Sequence, residues 1–229
     1  MYRRFALAVL AIVLTSAFAF SQGITDGAER QKLDSTFWAK YGRNSTIDWS
    51  DTRNCVGLLE GRFATGDSAA DSVSAVRVAV EFLNENHEML GTTGADLRLQ
   101  FLRLDKLSNR YSVDFVEYYE DVRVERAATS VLLERDGVVL QVGNGYVPDI
   151  EVPVVPVVSG EDAVSTARQS YDFPFGPDET PSVELVIYPQ AVDSTLVCRL
   201  AWRVKYIKYT YFIDAHDGSQ IARIGNFAR

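Results

Sequence analysis

Apolar and polar positions alternate with a period of two through much of this chain, most densely from Tyr111 to Asp149. Tyr111, Val113 and Phe115 alternate with Ser112 and Asp114, the pattern of a strand with one apolar face. Asp121 sits in a bend before Val122 and Val124. Thr129 to Glu134 and Val138 to Val142 flank Arg135-Asp136-Gly137. Asp-Gly between apolar runs signals a hairpin, because glycine tolerates positive φ there. Asn144-Gly145 predicts a second turn, ahead of a Tyr-Val-Pro-Asp exit. Upstream, Leu97, Leu99 and Phe101 alternate with Arg98 and Gln100, and Asp105 to Asn109 turns the chain. The whole stretch reads as a sheet built to present an edge or a face.

A helical period precedes these strands. Asp71 or Ser72 caps a helix in which Val73, Val76, Val80 and Leu83 form an apolar stripe, with Ala79 and Phe82 beside it. Gly91 ends it, as glycine does at a helix C-terminus. Residues 22–55 are polar and irregular, with scattered Phe37, Trp38, Tyr41 and Trp49, beginning with a short helix around Ala28 to Tyr41. Val56 to Phe63 predicts a strand and Thr65 to Asp71 a loop.

At 150–158, IEVPVVPVV places two prolines among valines, which predicts an extended linker or edge segment and a domain boundary. The same plan then repeats. Ser159 caps a short helix with Asp162 three residues on, and Ala163, Val164 and Ala167 face inward. Asp172 to Pro181 is a Pro/Gly loop. Val183 to Tyr188 forms a strand, and Leu196, Cys198, Leu200, Trp202 and Val204 line one face of a longer one. Tyr209 to Asp214 is a third, and His216-Asp217-Gly218 turns into Gln220 to Ile224. The fold class is α+β: two small modules, each with one helix on an antiparallel sheet, at 56–149 and 159–229.

Composition narrows the function classes. With 229 residues, 47% hydrophobic and 24% charged, the chain is globular rather than disordered. Its formal net charge of -8 argues against nucleic acid as a partner. Arg3 and Arg4 precede an apolar run, Phe5 to Thr15, and small residues follow at Ser16 to Ala19. That is a signal peptide over 1–21, cleaved after Ala19 or Ser21, and it predicts a secreted or periplasmic protein. The alternative, a membrane anchor, needs about 20 apolar residues. Cys55 and Cys198 could pair in an exported protein, but the alternation around Cys198 reads as a buried thiol.

No residues converge on a catalytic, cofactor or metal site. His87-Glu88 would need a second His where Gly91 stands. Asp214, His216 and Asp217 lie in a glycine turn, where Asp serves the backbone. No Gly-x-Ser-x-Gly elbow or phosphate loop occurs. Glu117, Glu120 and Asp121 around Tyr118-Tyr119 are either a solvated bend or a protein-contact patch.

Two blocks resemble a known family. AVRVAVEFLNENHEMLG followed by RYSVDFVEYYEDVRVERAATSVLLERDGVVLQVGNGYVPD resembles the fungalysin/thermolysin propeptide (FTP) domain of metalloprotease precursors, with Asp121 and Arg123 standing where the family pattern has Gly and Pro. The second half resembles the PepSY domain that follows it, in Ser159 to Ala163, in Leu200-Ala201-Trp202-Arg203-Val204 and in Tyr211 to Gly218. The resemblance implies a cystatin-like fold and an inhibitor or folding helper of a thermolysin-like metalloprotease, or a remnant of such a precursor. No His-Glu-x-x-His occurs in this chain, so no protease activity is expected of it. By the same analogy the contact residues would be Tyr118, Tyr119, Glu120 and Asp121, with the tail Gly225, Asn226, Phe227, Ala228 and Arg229 reaching toward the protease cleft. The alternative is an envelope binding or scaffold module with no protease partner.

Overall fold

The structure, a computed structural model, describes residues 27–105, 107–170, 180–193 and 195–226. The signal peptide expected at 1–21, most of the loop expected at Asp172 to Pro181, and Phe227, Ala228 and Arg229 lie outside the described residues.

The helix expected around Ala28 to Tyr41 forms, and a strand that was not expected follows it. Helix α1 (Gly27–Tyr41) buries Phe37, and β1 (Thr46–Trp49) pairs antiparallel with β2 (Val56–Phe63). Helix α2 (Ser72–Glu85) starts at a capping box: Asp71 accepts from the Ser74 amide at 2.8 Å, and the Asp71 amide donates to Ser74 Oγ at 3.0 Å. The helix expected to run on to Gly91 breaks at Asn86, whose Nδ2 donates to the Phe82 carbonyl at 2.7 Å. A short turn, α3 (His87–Leu90), follows and ends at left-handed Gly91.

The buried face of α2 is rotated from the expected stripe. Ala75, Val78, Ala79, Phe82 and Leu83 are buried, whereas Val73 is 80% and Val80 38% exposed. The two alanines let the helix lie close to the sheet, and Phe82 fills the space between layers. Phe82 stacks on Phe63 at 5.6 Å, and Phe63 meets Phe37 edge-on at 5.1 Å. These rings tie both helices to β2.

Strands β3 (Asp96–Asp105), β4 (Arg110–Tyr119), β5 (Val122–Glu134) and β6 (Val139–Asn144) form successive antiparallel pairs. The Asp136-Gly137 hairpin closes as expected. Gly137 has φ +87°, and a Cβ there would lie 1.6 Å from the Asp67 carbonyl oxygen. In β3 a bulge between Leu99 and Phe101 shifts the register. Leu97 and Leu99 lie opposite Glu117 and Phe115, and Leu102 and Leu104 opposite Val113 and Tyr111, so the expected inward Phe101 points to the other face.

Asn144-Gly145 is not a turn. The chain runs on extended, with the Gly145 amide on the Ala128 carbonyl at 2.9 Å. Asn144 itself is buried: its Nδ2 donates to the carbonyls of Val56 and Leu90, both at 2.8 Å, and its Oδ1 accepts from Thr129 Oγ1 at 3.1 Å. One amide thus ties β6 to β2, α3 and β5.

The second half holds α4 (Gly160–Gln169), β7 (Ser182–Val192), β8 (Thr195–Lys205), β9 (Tyr209–Asp214) and β10 (Gln220–Gly225). Ser159 caps α4, and Ala163 and Ala167 pack on Val204, Tyr211 and Ile213. The opposite face of these strands is buried too, through Val186, Tyr188, Ala201 and Phe212. The fold is α+β, with few helices on one large, mostly antiparallel sheet of ten strands in the order β1-β2-β6-β5-β7-β8-β9-β10, β4 and β3 branching from β5. The proline segment 150–158 is extended as expected, but it does not stand apart: Ile150 and Val152 pack with Val124, Ile187 and Leu200.

The rotated face of α2 is testable. Phe82→Ala should destabilise by about 3–5 kcal/mol, and Val73→Ala should stay within about 0.5 kcal/mol of the parent. Urea unfolding of the two variants checks this, and the reverse ranking would restore the valine stripe.

Candidate functional site

The two halves meet at an irregularity between β4 and β5. Val116 pairs with Ala128 and Tyr118 with Arg123, so Glu117 alone faces the four residues 124–127. Arg126, within that excess, has φ +62°. The displaced start of β5 keeps β4 on one edge and takes β7 on the other, in parallel, through Arg123↔Val186 and Val124↔Ile187.

Glu117 is buried, 3% exposed, rather than part of an acidic surface patch. Its Oε2 accepts from the Val147 amide at 2.9 Å. Burial pushes its carboxyl from the usual carboxylate range up to about 8, against the smaller pull of that hydrogen bond. The groups it acts on lie on other elements. Burial raises the Cys55 and Cys198 thiols, the latter to about 11, and Glu117 adds to both. The Tyr146 phenol is raised for the same reasons, with Asp149 contributing. Arg53, the nearby cation that lowers Cys55, donates to the carbonyls of Asn144 and Tyr146. Both cysteines are free thiols, and their raised pKa values make them poor nucleophiles. Period-two alternation along β4 put Glu117 on the face of Phe115 and Val113, and that was the signal available for its burial.

The expected contact residues divide. Glu120 and Asp121 have φ +47° and +64° and form the two-residue tip of the β4–β5 hairpin, the backbone of a type I′ turn, so positive φ is adopted here without glycine. Tyr118 lies on the outer face, its ring 4.2 Å beneath the Arg98 guanidinium. Arg98 bonds to Asp96 at 2.5 Å and Asp121 at 2.6 Å, and both carboxylates hold its pKa above the usual arginine range. Asp121 is 87% exposed, so water screens this network and it contributes little to stability. Tyr119 points the other way and packs on Val124, Val147 and Ile150. Gly225, the last residue of β10, and Asn226 just past it lie elsewhere, separated from the hairpin by β7, β8 and β9. Asn226 donates to the Tyr206 carbonyl at 2.8 Å and accepts from Thr210 Oγ1 at 2.8 Å, and its amide reaches the Lys208 carbonyl at 2.7 Å. It is held in the sheet rather than projecting as a tail.

Beside Tyr118, a shallow cavity of about 180 Å³ opens between Arg98, Leu99, Gln100, Val116, Tyr118 and Arg123. Next to it β3 has one partner among the described residues, β4, which leaves its other edge unpaired by them, and Leu99 and Phe101 are half exposed.

The Asp214 turn and His87 serve the backbone. Asp214 Oδ1 accepts from the amides of His216 at 2.8 Å and Asp217 at 3.3 Å, which shapes the turn before β10. His87 Nδ1 contacts the Asn84 carbonyl at 2.6 Å. Among the described residues no group of three or more His, Cys, Asp or Glu could hold a metal ion, and no helix is long and apolar enough to cross a membrane.

No family model and no curated protein matches the chain. Among solved structures it is similar to the Bacillus megaterium YpeB C-terminal domain, at 14% identity and a TM-score of 0.38, over 89% of this chain and 98% of that one. A likeness this distant carries no argument about function.

The buried carboxyl makes stability depend on pH. Between the ordinary value of 4.5 and about 8, native Glu117 keeps a proton that the unfolded chain has released, so stability falls as pH rises through that window. Glu117→Gln should match the parent at pH 5 and exceed it at pH 9, by up to about 4 kcal/mol. Denaturant midpoints at the two pH values check this. An equal pH dependence in both proteins would refute it.

Proposed function

We propose that this chain is an exported, non-catalytic, propeptide-like protein, an FTP-like block followed by a PepSY-like block, which binds a thermolysin-like metalloprotease as inhibitor or folding helper. The observation that carries contact as its work is the outer strand β3: among the described residues one edge is unpaired, and Leu99 and Phe101 are 50% and 51% exposed on it. An unpaired edge accepts an extended segment through backbone hydrogen bonds, and flanking apolar side chains add selectivity. The residue patterns of the two blocks support the class of partner, and the apolar run from Phe5 to Thr15 supports export. A role without catalysis is supported by Asp214, His216 and His87, whose contacts shape turns and a helix end.

One observation favours the second reading, an envelope binding or scaffold module without a protease. A tail that reaches a cleft must be free to leave the sheet, and Gly225 and Asn226 are held in it. Inhibition through this chain is therefore assigned to β3 rather than to the tail.

Titration of the purified protein against a thermolysin-like protease should lower its activity at micromolar concentration, with a complex seen by gel filtration. Changing Leu99 and Phe101 together to Asp should weaken that complex by about tenfold or more. No inhibition and no complex would sink the protease reading and leave the scaffold reading standing.

A further inference from the structure

The outer face of β3, β4 and β5 carries a row of side chains with an unusual charge balance. Cross-strand pairing sets Arg98 opposite Val116 and Tyr118 opposite Arg123, so these residues share one face and surround the cavity described above. Arg98 is already compensated by Asp96 and Asp121. The carboxylates nearest along β5 and β7 are taken elsewhere, since Glu125 and Glu184 both pair with Arg203. Arg123 has no carboxylate partner among the described residues, and its Nε is buried without a hydrogen bond. A buried guanidinium nitrogen with no acceptor is rare in native proteins and points to a group that is missing. The floor of the cavity is Val116, which is 4% exposed, so an anion seated there would be shielded from water on that side.

We propose that this cavity binds the carboxylate of a peptide segment, with Arg123 as its anchoring cation. A guanidinium matches a carboxylate with two parallel N–H···O bonds, and such pairs are the stronger kind of hydrogen bond. Gln100 adds an amide donor to the rim, and the half-exposed Phe101 lies on the same face to take an apolar neighbour of the acidic group. The protein carries a net charge of -8, so polyanions such as nucleic acid are repelled at long range far more strongly than a single carboxylate on a short peptide. The site deepens the proposed contact function by giving the chemistry of the partner segment. It uses the sheet face rather than the β3 edge.

The test uses peptides without any protease, so its failure is separate from failure of the protease reading. Amide chemical shifts of the isotope-labelled protein would be followed as four probes are added: a blocked Ala-Ala-Glu-Ala-Ala peptide, its Gln counterpart, penta-alanine with a free C-terminus, and inorganic phosphate. Val116, Tyr118 and Arg123 should shift with at least one carboxylate probe, bound about tenfold or more tighter than the Gln peptide. Which carboxylate probe binds tells a side-chain source from a chain terminus. Arg123→Gln should lose that binding with the rest of its spectrum unchanged, and Arg123→Lys should recover part of it. Equal binding of the Gln peptide, an equal response to phosphate, no shift with any probe at millimolar concentration, or unchanged binding by Arg123→Gln would each overturn the proposal.

Discussion

A strand has two edges, and β5 satisfies three partners with them. It keeps β4 along one edge at both ends, on either side of the excess residues 124–127. On the other edge β6 pairs with its C-terminal part and β7 with its start. Room for both arises because β6 leaves the sheet after Asn144, and because the four residues 124–127 displace the start of β5 opposite Glu117. Gly145 is part of this arrangement: a Cβ there would lie 2.4 Å from the Ala128 carbonyl oxygen, which forbids any side chain where β6 departs. The continuity of the sheet, and of the core around Val124, Ile187 and Leu200, depends on that one displacement.

The displacement explains why a carboxyl is buried at the junction. Where the chain runs on past β6 its backbone groups leave the ladder, and Glu117, set opposite 124–127, supplies an acceptor for one of them, the Val147 amide. In its protonated form it does so without the desolvation cost of a charge. Asn144 plays the neutral counterpart a few residues away, satisfying the carbonyls of Val56 and Leu90. The polar groups inside this protein are there to close backbone accounts at places where regular pairing stops.

The shallow cavity and the exposed apolar spot lie on the far side of β4 from the helices and at the edge of β3. The bulge in β3 is responsible for both features. It turns Phe101 outward while Leu102 and Leu104 turn in, so one strand supplies an inner layer and an outer apolar spot. The charged neighbours Arg98, Asp96 and Asp121 keep the rest of that end solvated.

Much of the fold was legible along the chain. The cap at Asp71, the hairpin at Asp136-Gly137, the inward Tyr111, Val113 and Phe115, the capped helix after Ser159 and the last two strands are all local signals, set by backbone preference and side-chain period. The tertiary structure decided the rest. Val73 and Val80 match a helical stripe as well as Ala75 and Ala79 do, and only packing distance to the sheet chose the alanine face. Alternation cannot foresee a bulge, because one extra residue flips every side chain beyond it. The Asn-Gly pair at 144–145 suits a turn in isolation, but becomes a buried crosspiece once Val56 and Leu90 supply carbonyls for it. Of the candidate site, the aromatic and acidic residues could be named from sequence. That Glu117 is buried, that Tyr118 and Tyr119 part company, and that Arg123 has no counter-charge among the described residues follow from which strands become neighbours, and that is a long-range choice no local pattern encodes.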